Sequence, residues 1–166
     1  MDYEVYMEKA LEEARQALST GEFPVGCVMV YEDRVLVTGA RSHSEPENQN
    51  ELDHAEMLAL RRLIDLEEKI DRGKVALFST LEPCLMCYAA LIVNGIRKIV
   101  YAYEDVFGGG TSLDLKGVTP LYAEMKTEIV SGILRHESIS LVKKFFSDPR
   151  NDYLRGSLLA QHALNE

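Results

Sequence analysis

The chain has 166 residues, of which 46% are hydrophobic and 27% are charged, and its formal net charge is −9 at pH 7. These values are typical of a globular protein that can bury a core, so we expect one domain over residues 1–166. No apolar run approaches the ~18 residues of a membrane span, and the acidic N-terminus differs from a signal peptide. The sequence thus predicts a cytoplasmic protein without a membrane partner, and three cysteines fit a reducing compartment.

The negative charge also bears on polyanionic partners. Phosphate contacts by Lys and Arg dominate nucleic-acid affinity, so a nucleic-acid partner would require a local basic patch. The basic side chains available for one are Arg61, Arg62, Lys143, Lys144, Arg150 and Arg155. A segment over residues 45–53 is instead acidic, because it contains four carboxylates and no basic residue.

Apolar periodicity and turn residues predict the elements of the first two thirds of the chain. In chain order these are a helix over 3–18, strands over 25–31 and 35–40, a polar loop over 41–52, a helix over 53–69, a strand over 75–80, a helix over 84–93 and a strand over 98–103. An initial hairpin followed by alternating helices and strands favours an α/β domain with helices on both faces of the sheet.

The last third of the chain has weaker signals. A glycine-rich turn over 107–110 precedes a loop or short helix over 117–124, a short strand over 128–130 and a helix over 134–146. Residues 148–166 are predicted to hold a C-terminal helix that begins at about Asn151, after the break at Asp148-Pro149.

Two short motifs carry the chemistry of the chain. His54-Ala55-Glu56 opens one predicted helix, and Pro83-Cys84-Leu85-Met86-Cys87 opens the next. Residues three apart share a helical face, so both thiols can reach one metal ion. One imidazole and two thiolates can hold a zinc ion whose fourth position stays open, as in a catalytic site. The motifs therefore predict one zinc per chain on His54, Cys84 and Cys87.

Glu56 is the candidate proton carrier of this site. A carboxylate beside zinc can take a proton from the bound water and pass it to a ring nitrogen and to the leaving amine. The combination of H-x-E with P-C-x-x-C is typical of zinc-dependent nucleobase deaminases. A helix N-terminus also lowers the pKa of a cysteine thiol, which favours the thiolate that zinc needs.

A C-x-x-C pair also occurs in structural zinc sites and in redox proteins. A structural site needs a second ligand pair, but the remaining candidates form no paired motif; they are Cys27, His43, His136 and His162. A redox pair would leave His54-Ala55-Glu56 unexplained. Cys27 lies in an apolar strand and is interpreted as a buried core residue.

The chain resembles the cytidine and deoxycytidylate deaminase superfamily, and within it the bacterial tRNA adenosine deaminases. The resemblance spans about residues 21–146 and is carried by residues 23–30, 54–60, 80–87 and 131–134. It implies a three-layer α/β/α fold with a five-stranded mixed sheet, and a homo-oligomer, commonly a dimer. It also implies zinc on the three ligands above, Glu56 as the proton shuttle, and a pocket lined by Glu82 and Pro83 through their backbone groups.

The predicted substrate contacts depart from this family. Many members carry an asparagine at the end of the second strand, and the matching position is interpreted as Ser42. A hydroxyl lacks the paired donor and acceptor of an amide, so His43 or Asn50 would complete the pocket. Val25 and Ala55 are the remaining predicted contacts.

The leading hypothesis is a zinc-dependent hydrolytic deaminase of a nucleobase, nucleoside or nucleotide. Zinc-bound hydroxide would attack the amine-bearing ring carbon and release ammonia. The resemblance favours adenosine in tRNA, whereas the net charge and Ser42 favour a small free substrate of the guanine, cytosine or CMP/dCMP type. A non-catalytic zinc-stabilised binding module is the remaining alternative, and the presence of Glu56 disfavours it.

Overall fold

Five strands form one mixed sheet in the computed structural model, which describes residues 1–166. The strands are β1 (Gly26–Tyr31), β2 (Arg34–Ala40), β3 (Ala76–Leu81), β4 (Lys98–Tyr103) and β5 (Glu128–Val130). Their order in the sheet is β2-β1-β3-β4-β5. Strand β1 is antiparallel to β2 and β3, whereas β4 is parallel to β3 and β5. The predicted five-stranded mixed sheet is confirmed.

Six helices surround this sheet. They are α1 (Tyr3–Ser19), α2 (Ala55–Ile64), α3 (Leu85–Val93), α4 (Pro120–Ala123), α5 (Arg135–Ser147) and α6 (Leu158–Asn165). All of them fall short of the length and apolar character that crossing a bilayer would require.

The core is divided by the sheet, because successive side chains of a strand point to opposite faces. Cys27, Leu77 and Ile99 lie on one face with the buried residues of α2 and α3. Val28 and Phe78 lie on the other face, against the buried residues of α1. The helices therefore cover both faces, as the α/β pattern predicts. Cys27 is fully buried, so its interpretation as a core residue is confirmed.

Two predicted helices are shorter than the sequence suggested. Helix α2 ends at Ile64 instead of residue 69, and Leu66 and Ile70 pack against the core after the helix has ended. Helix α6 begins at Leu158 instead of residue 151. The Arg155 guanidinium donates to the carbonyl oxygens of residues 148, 149 and 151, which holds the preceding segment in turns.

Candidate metal centre and substrate cavity

Helices α2 and α3 begin side by side because two glycines let their first residues approach other backbone closely. A side chain at Gly39 on β2 would meet the carbonyl oxygen of Ala55, the first residue of α2. A side chain at Gly110 would lie 2.5 Å from the amide nitrogen of Leu85, the first residue of α3. Only glycine permits such approach, so these two positions fix where both helices start.

His54 and Cys84 are the N-cap residues of the two helices. The Cys84 sulfur accepts a hydrogen bond from the Cys87 amide at 3.5 Å, so the metal-binding motif also caps its own helix. The prediction that α2 begins at residue 53 is wrong, because the helix begins at Ala55, directly after His54. The Asp53 carboxylate instead contacts the His43 ring at 2.6 Å and accepts from the Asn50 amide at 2.8 Å.

His54, Cys84 and Cys87 form a cluster that suits zinc. The His54 Nδ1 atom lies 3.5 Å from the sulfur of Cys84 and 3.5 Å from that of Cys87. A tetrahedral zinc with normal Zn–S and Zn–N bonds separates its nitrogen and sulfur ligands by about 3.6 Å. The donor types and their spacing therefore fit zinc, and three ligands leave one position of a tetrahedron for solvent or substrate.

The two thiols of this cluster differ in acidity. Hydrogen bonds from the Cys87 thiol, the His54 ring and the Cys87 amide lower the pKa of Cys84 to about 4, against the effect of burial. The shared hydrogen bond, burial and the nearby Glu56 carboxylate raise the pKa of Cys87. Zinc binds cysteine as the thiolate, so coordination by both sulfurs is coupled to the release of the protons that the two thiols hold.

Glu56 lies beside the cluster in the first turn of α2. Its side chain is buried, with one carboxylate oxygen 3.6 Å from the Cys87 sulfur. The other oxygen accepts a hydrogen bond from the Ser79 hydroxyl on β3 at 3.1 Å. Burial raises the pKa of Glu56, which brings this carboxyl closer to the range in which a group both accepts and donates a proton.

Glu51 contacts the cluster from the other side of His54, and sequence reasoning missed it. The Glu51 carboxylate lies 3.2 Å from Nε2 of His54 and accepts a hydrogen bond from the Tyr153 hydroxyl at 2.9 Å. A carboxylate on the second ring nitrogen of a metal-binding histidine fixes the tautomer and orientation of the ring. The spacing of three residues between Glu51 and His54 could have predicted this contact, but the sequence analysis treated Glu51 only as part of the acidic segment over residues 45–53.

A cavity of about 420 Å³ opens beside the cluster. Its lining comprises Phe23, Val25, Arg41, His54, Ala55, Glu56, Leu81, Glu82, Cys84, Asp105, Tyr153, Leu154 and Leu159. The structure therefore brings the predicted contacts Val25, Ala55 and Glu82 together with the metal cluster and Glu56.

Three predicted substrate contacts do not line this cavity. The Ser42 amide donates to the Asp53 carbonyl oxygen at 3.1 Å. The His43 ring is paired with the Asp53 carboxylate, and its side chain is 51% exposed. Pro83 is buried, and its carbonyl oxygen accepts from the Gly110 amide at 2.9 Å.

The cavity-lining residue at the end of β2 is Arg41, one position before the residue that sequence reasoning selected. Residues two apart in an extended chain share a face, so Arg41 lies on the same side as Gly39, which packs against α2. The Arg41 amide donates to the Val25 carbonyl oxygen at 2.8 Å, which continues the pairing of β2 with β1 by one residue. Side chains alternate between the two faces along β2, and this alternation could have identified Arg41 as the residue on the α2 side.

The C-terminal segment forms the remaining wall. The Tyr153 ring lies 5.4 Å from the Phe23 ring and 5.3 Å from the Arg41 guanidinium carbon, measured to the ring centroids. Leu154 and Leu159 complete this wall. Helix α6 is held in place by His162, whose Nδ1 lies 2.7 Å from the Tyr103 hydroxyl.

The sequence of the whole metal-binding half matches a known family. A model of the cytidine and deoxycytidylate deaminase zinc-binding region matches residues 1–103. The chain belongs to this family. Membership makes it a deaminase-type hydrolase of C–N bonds, with His54, Cys84 and Cys87 as candidate zinc ligands.

Individual deaminases are similar over most of the chain. The chain is 33% identical over 149 residues to tRNA-specific adenosine deaminase 2 of Xenopus tropicalis, across 85% of this chain and 86% of that protein. It is 31% identical over 148 residues to the tRNA-specific adenosine deaminase of Bacillus subtilis (strain 168), across 89% and 90%. A solved structure from work on A-to-I editing by tRNA:A34 deaminases superimposes with a TM-score of 0.64 at 29% identity, across 82% of this chain and 97% of that chain.

Proposed function

We propose that this deaminase converts adenosine in tRNA to inosine, with one zinc per chain bound by His54, Cys84 and Cys87. The observation that carries this proposal is the metal cluster with Glu56 beside it, in a chain whose similar relatives are named tRNA adenosine deaminases. The reaction consumes water and releases ammonia, so it needs one group that moves protons and one cavity that holds the base.

The residues of the site divide this work. Zinc, when bound, supplies a Lewis acid that activates water for attack on the amine-bearing carbon. Glu56 takes one proton from the attacking water and delivers it to a ring nitrogen, and it then carries the second proton of the same oxygen to the amine, which leaves as ammonia. Burial of Glu56 and its hydrogen bond from Ser79 hold one carboxylate oxygen on the sheet and leave the other toward the cluster. Val25, Ala55 and Glu82 contact the base.

A small free base is the second candidate substrate, and the charges around the cavity favour it. Glu56, Glu82 and Asp105 line the cavity with Arg41 as the only arginine or lysine. Outside it, Arg150 and Arg155 pair with Asp148 and Asp152, so two of the candidate basic side chains are already neutralised. A polynucleotide would need unpaired cations for its phosphates.

Ammonia release from a panel of substrates distinguishes the two candidates. The panel contains adenosine-34 tRNA, the same tRNA with guanosine at that position, and the free compounds adenine, guanine, cytosine and CMP. We expect ammonia and inosine from the adenosine-34 tRNA alone, and turnover reduced by about 10²- to 10⁴-fold in the zinc-loaded Glu56→Gln variant. Turnover of a free compound with no reaction of tRNA would replace the proposed substrate. No turnover of any member, at full zinc loading, would favour a binding module.

We also propose that the chain forms a homodimer through the exposed face of α3. An apolar groove of about 760 Å³ lies there, lined by Tyr88, Ala89, Ala90, Ile92, Val93, Leu113, Leu115, Val118 and Tyr122. An apolar face of this kind on a monomer is typical of an interaction site. Sedimentation equilibrium should show a dimer that dissociates in the Val93→Asp variant. A monomeric wild-type chain at micromolar concentration would contradict the dimer.

A further inference from the structure

The Glu82 carboxylate holds both ends of the loop over residues 105–111. One of its oxygens, Oε2, accepts a hydrogen bond from the Asp105 amide at 3.1 Å. The other, Oε1, accepts from the Thr111 amide at 3.2 Å and from the Thr111 hydroxyl at 2.5 Å. Hydrogen bonds to a carboxylate are stronger than those to a neutral acceptor, so one side chain closes this loop.

The position of Glu82 is itself set by the sheet. Glu82 directly follows Leu81, the last residue of β3, and its amide donates to the carbonyl oxygen of Tyr103 at the end of β4, at 2.8 Å. The next residue is Pro83, whose ring fixes its own φ angle. The carboxylate is therefore attached to the most regular part of the fold, and the 105–111 loop takes its position from there.

The glycine-rich turn over 107–110 lets this loop pass close to Glu82. A β-carbon at Gly109 would overlap Oε2 of Glu82 and would lie 2.7 Å from the Asp105 carbonyl oxygen. Side chains do not fit at such distances, so any residue larger than glycine would push the loop away from the carboxylate.

The same loop pairs with the backbone of the metal-binding motif. Gly109 and Cys84 form an isolated antiparallel bridge, and the Gly110 amide donates to the Pro83 carbonyl oxygen at 2.9 Å. Cys84 is an N-cap residue with extended backbone angles, so helical geometry does not fix the direction of its side chain. The pairing with the loop restrains the Cys84 backbone, and with it the position of the sulfur beside His54.

We propose that Glu82 is a positioning residue of the metal centre, whose carboxylate holds the 105–111 loop against Cys84 and so keeps the Cys84 sulfur in place for zinc. The inference rests on the proposed function, because it takes zinc as the ion that the cluster binds. A ligand that is ordered in advance loses less conformational entropy when the metal binds. Loss of the contacts between Glu82 and the loop should therefore weaken zinc binding even in a chain that remains folded.

Glu82→Gln tests this role, because glutamine keeps the size of the side chain but replaces one acceptor oxygen by an NH₂ group that faces a donor of the loop. We expect zinc affinity, measured by competition with a fluorescent chelator, to fall by about tenfold or more, as for the outer partners of metal ligands. The d–d absorption of the cobalt-loaded variant should also differ from that of wild type, because a displaced sulfur changes the geometry around the metal.

Glu22→Gln is the matched control, because the Glu22 carboxylate also accepts from two backbone amides and one hydroxyl. Its donors are the amides of His43 and Ser44 and the Ser44 hydroxyl, at the start of the polar loop over 41–52. This variant should lose a similar amount of thermal stability but keep the zinc affinity and the cobalt spectrum of wild type. A purely structural role of Glu82 would instead give both variants the same zinc affinity.

Gly109→Ala tests the same contact without altering Glu82, and it decides the question if Glu82→Gln does not fold. The added methyl group should displace the loop from the carboxylate and lower zinc affinity several-fold. Gly117→Ala is its control, because a β-carbon at Gly117 would have no heavy atom within 4 Å, and neither glycine has a positive φ. Zinc affinity should be unchanged in this control.

Two results would overturn the inference while leaving the proposed function intact. Either folded Glu82→Gln binds zinc as tightly as Glu22→Gln, or Gly109→Ala binds zinc as tightly as Gly117→Ala. A wild-type chain that is folded by circular dichroism but binds no zinc would refute the proposed function, and the inference would fail with it.

Discussion

The metal side of the cavity is formed by the starts of two regular helices, whereas the opposite side is formed by residues 41–53 and 148–159, which contain little regular structure. Local sequence dictates the first side: a histidine and a cysteine each cap a helix, and glycines allow the close approach. The second side is held by long-range contacts such as that of Tyr153 with Glu51. The metal side of the cavity therefore depends on local sequence, whereas the opposite side depends on contacts between residues that are far apart in the sequence.

The largest expected effect is on the metal itself. Cys87 and Cys27 are both fully buried, but only Cys87 belongs to the metal cluster. Cys87→Ser should lower bound zinc from one per chain to a small fraction, because a hydroxyl is a poor zinc ligand beside a thiolate and an imidazole. Cys27→Ser should keep full zinc. Zinc is measured by inductively coupled plasma mass spectrometry after dialysis, and equal loss in both variants would contradict the assignment.

Glu56→Gln should keep zinc and lower kcat by about 10²- to 10⁴-fold, the usual contribution of a positioned proton carrier. Glutamine preserves the size of the side chain and can still contact Ser79, but it cannot carry the proton. Steady-state rates on the substrate identified by the panel, together with zinc content, provide the measurement. A variant that keeps more than a tenth of wild-type kcat would remove Glu56 from the reaction.

These two effects concern the side of the cavity that the sequence predicts well. The C-x-x-C spacing predicts that both thiols reach one metal ion, and the H-x-E spacing predicts that Glu56 lies near His54, because the positions within each motif depend on local geometry alone. The predicted cavity-lining residue at the end of β2 is wrong by one position, because the sequence analysis chose Ser42 and the structure places Arg41 there. Tyr153 could not be predicted, because its position depends on the turns that Arg155 stabilises and on packing against Phe23, a residue far away in sequence.

Glu51 contacts His54 on the metal side of the cavity and Tyr153 on the opposite side. Its replacement should change zinc affinity by an intermediate amount. Glu51→Gln weakens the contact with His54 Nε2, so we expect zinc affinity to fall by about 10- to 100-fold, the range seen for outer-shell partners of metal ligands. Glu47→Gln is the matched control, since Glu47 is an exposed acid of the same loop. Competition with a fluorescent zinc chelator gives both affinities. Identical affinities in the two variants would show that Glu51 does not orient His54.

The smallest effect should come from the attachment of α6 to the rest of the chain. Arg135 pairs with Glu104 at the end of β4 and with Glu166 at the C-terminus. Hydrogen bonds from Arg135 lower the pKa of both carboxyls. A depressed folded-state pKa adds stability above the unfolded-state pKa of about 4.3 and loses it as the pH falls through the folded-state value.

Arg135→Met should therefore lower Tm by no more than a few degrees at pH 7, because such partly exposed pairs contribute little. The difference from wild type should shrink as the pH falls below about 4, where both carboxyls become protonated. Lys126→Met controls for loss of an exposed charge without a partner. Thermal unfolding followed by circular dichroism, at pH 7 and again below about pH 4, measures the difference in Tm between the variants and the wild type. A difference that grows in acid would contradict the assigned ion pairs.

Zinc K-edge X-ray absorption of the loaded wild-type protein tests the central claim most directly, because it counts the ligand atoms by type. The account predicts one zinc per chain with two sulfur atoms at about 2.3 Å and two lighter atoms, of which one is the nitrogen of His54. Substitution of His54 by Ala should remove the imidazole signal and lower zinc content. A third sulfur at bonding distance, or four protein ligands that close the coordination sphere, would contradict a catalytic centre.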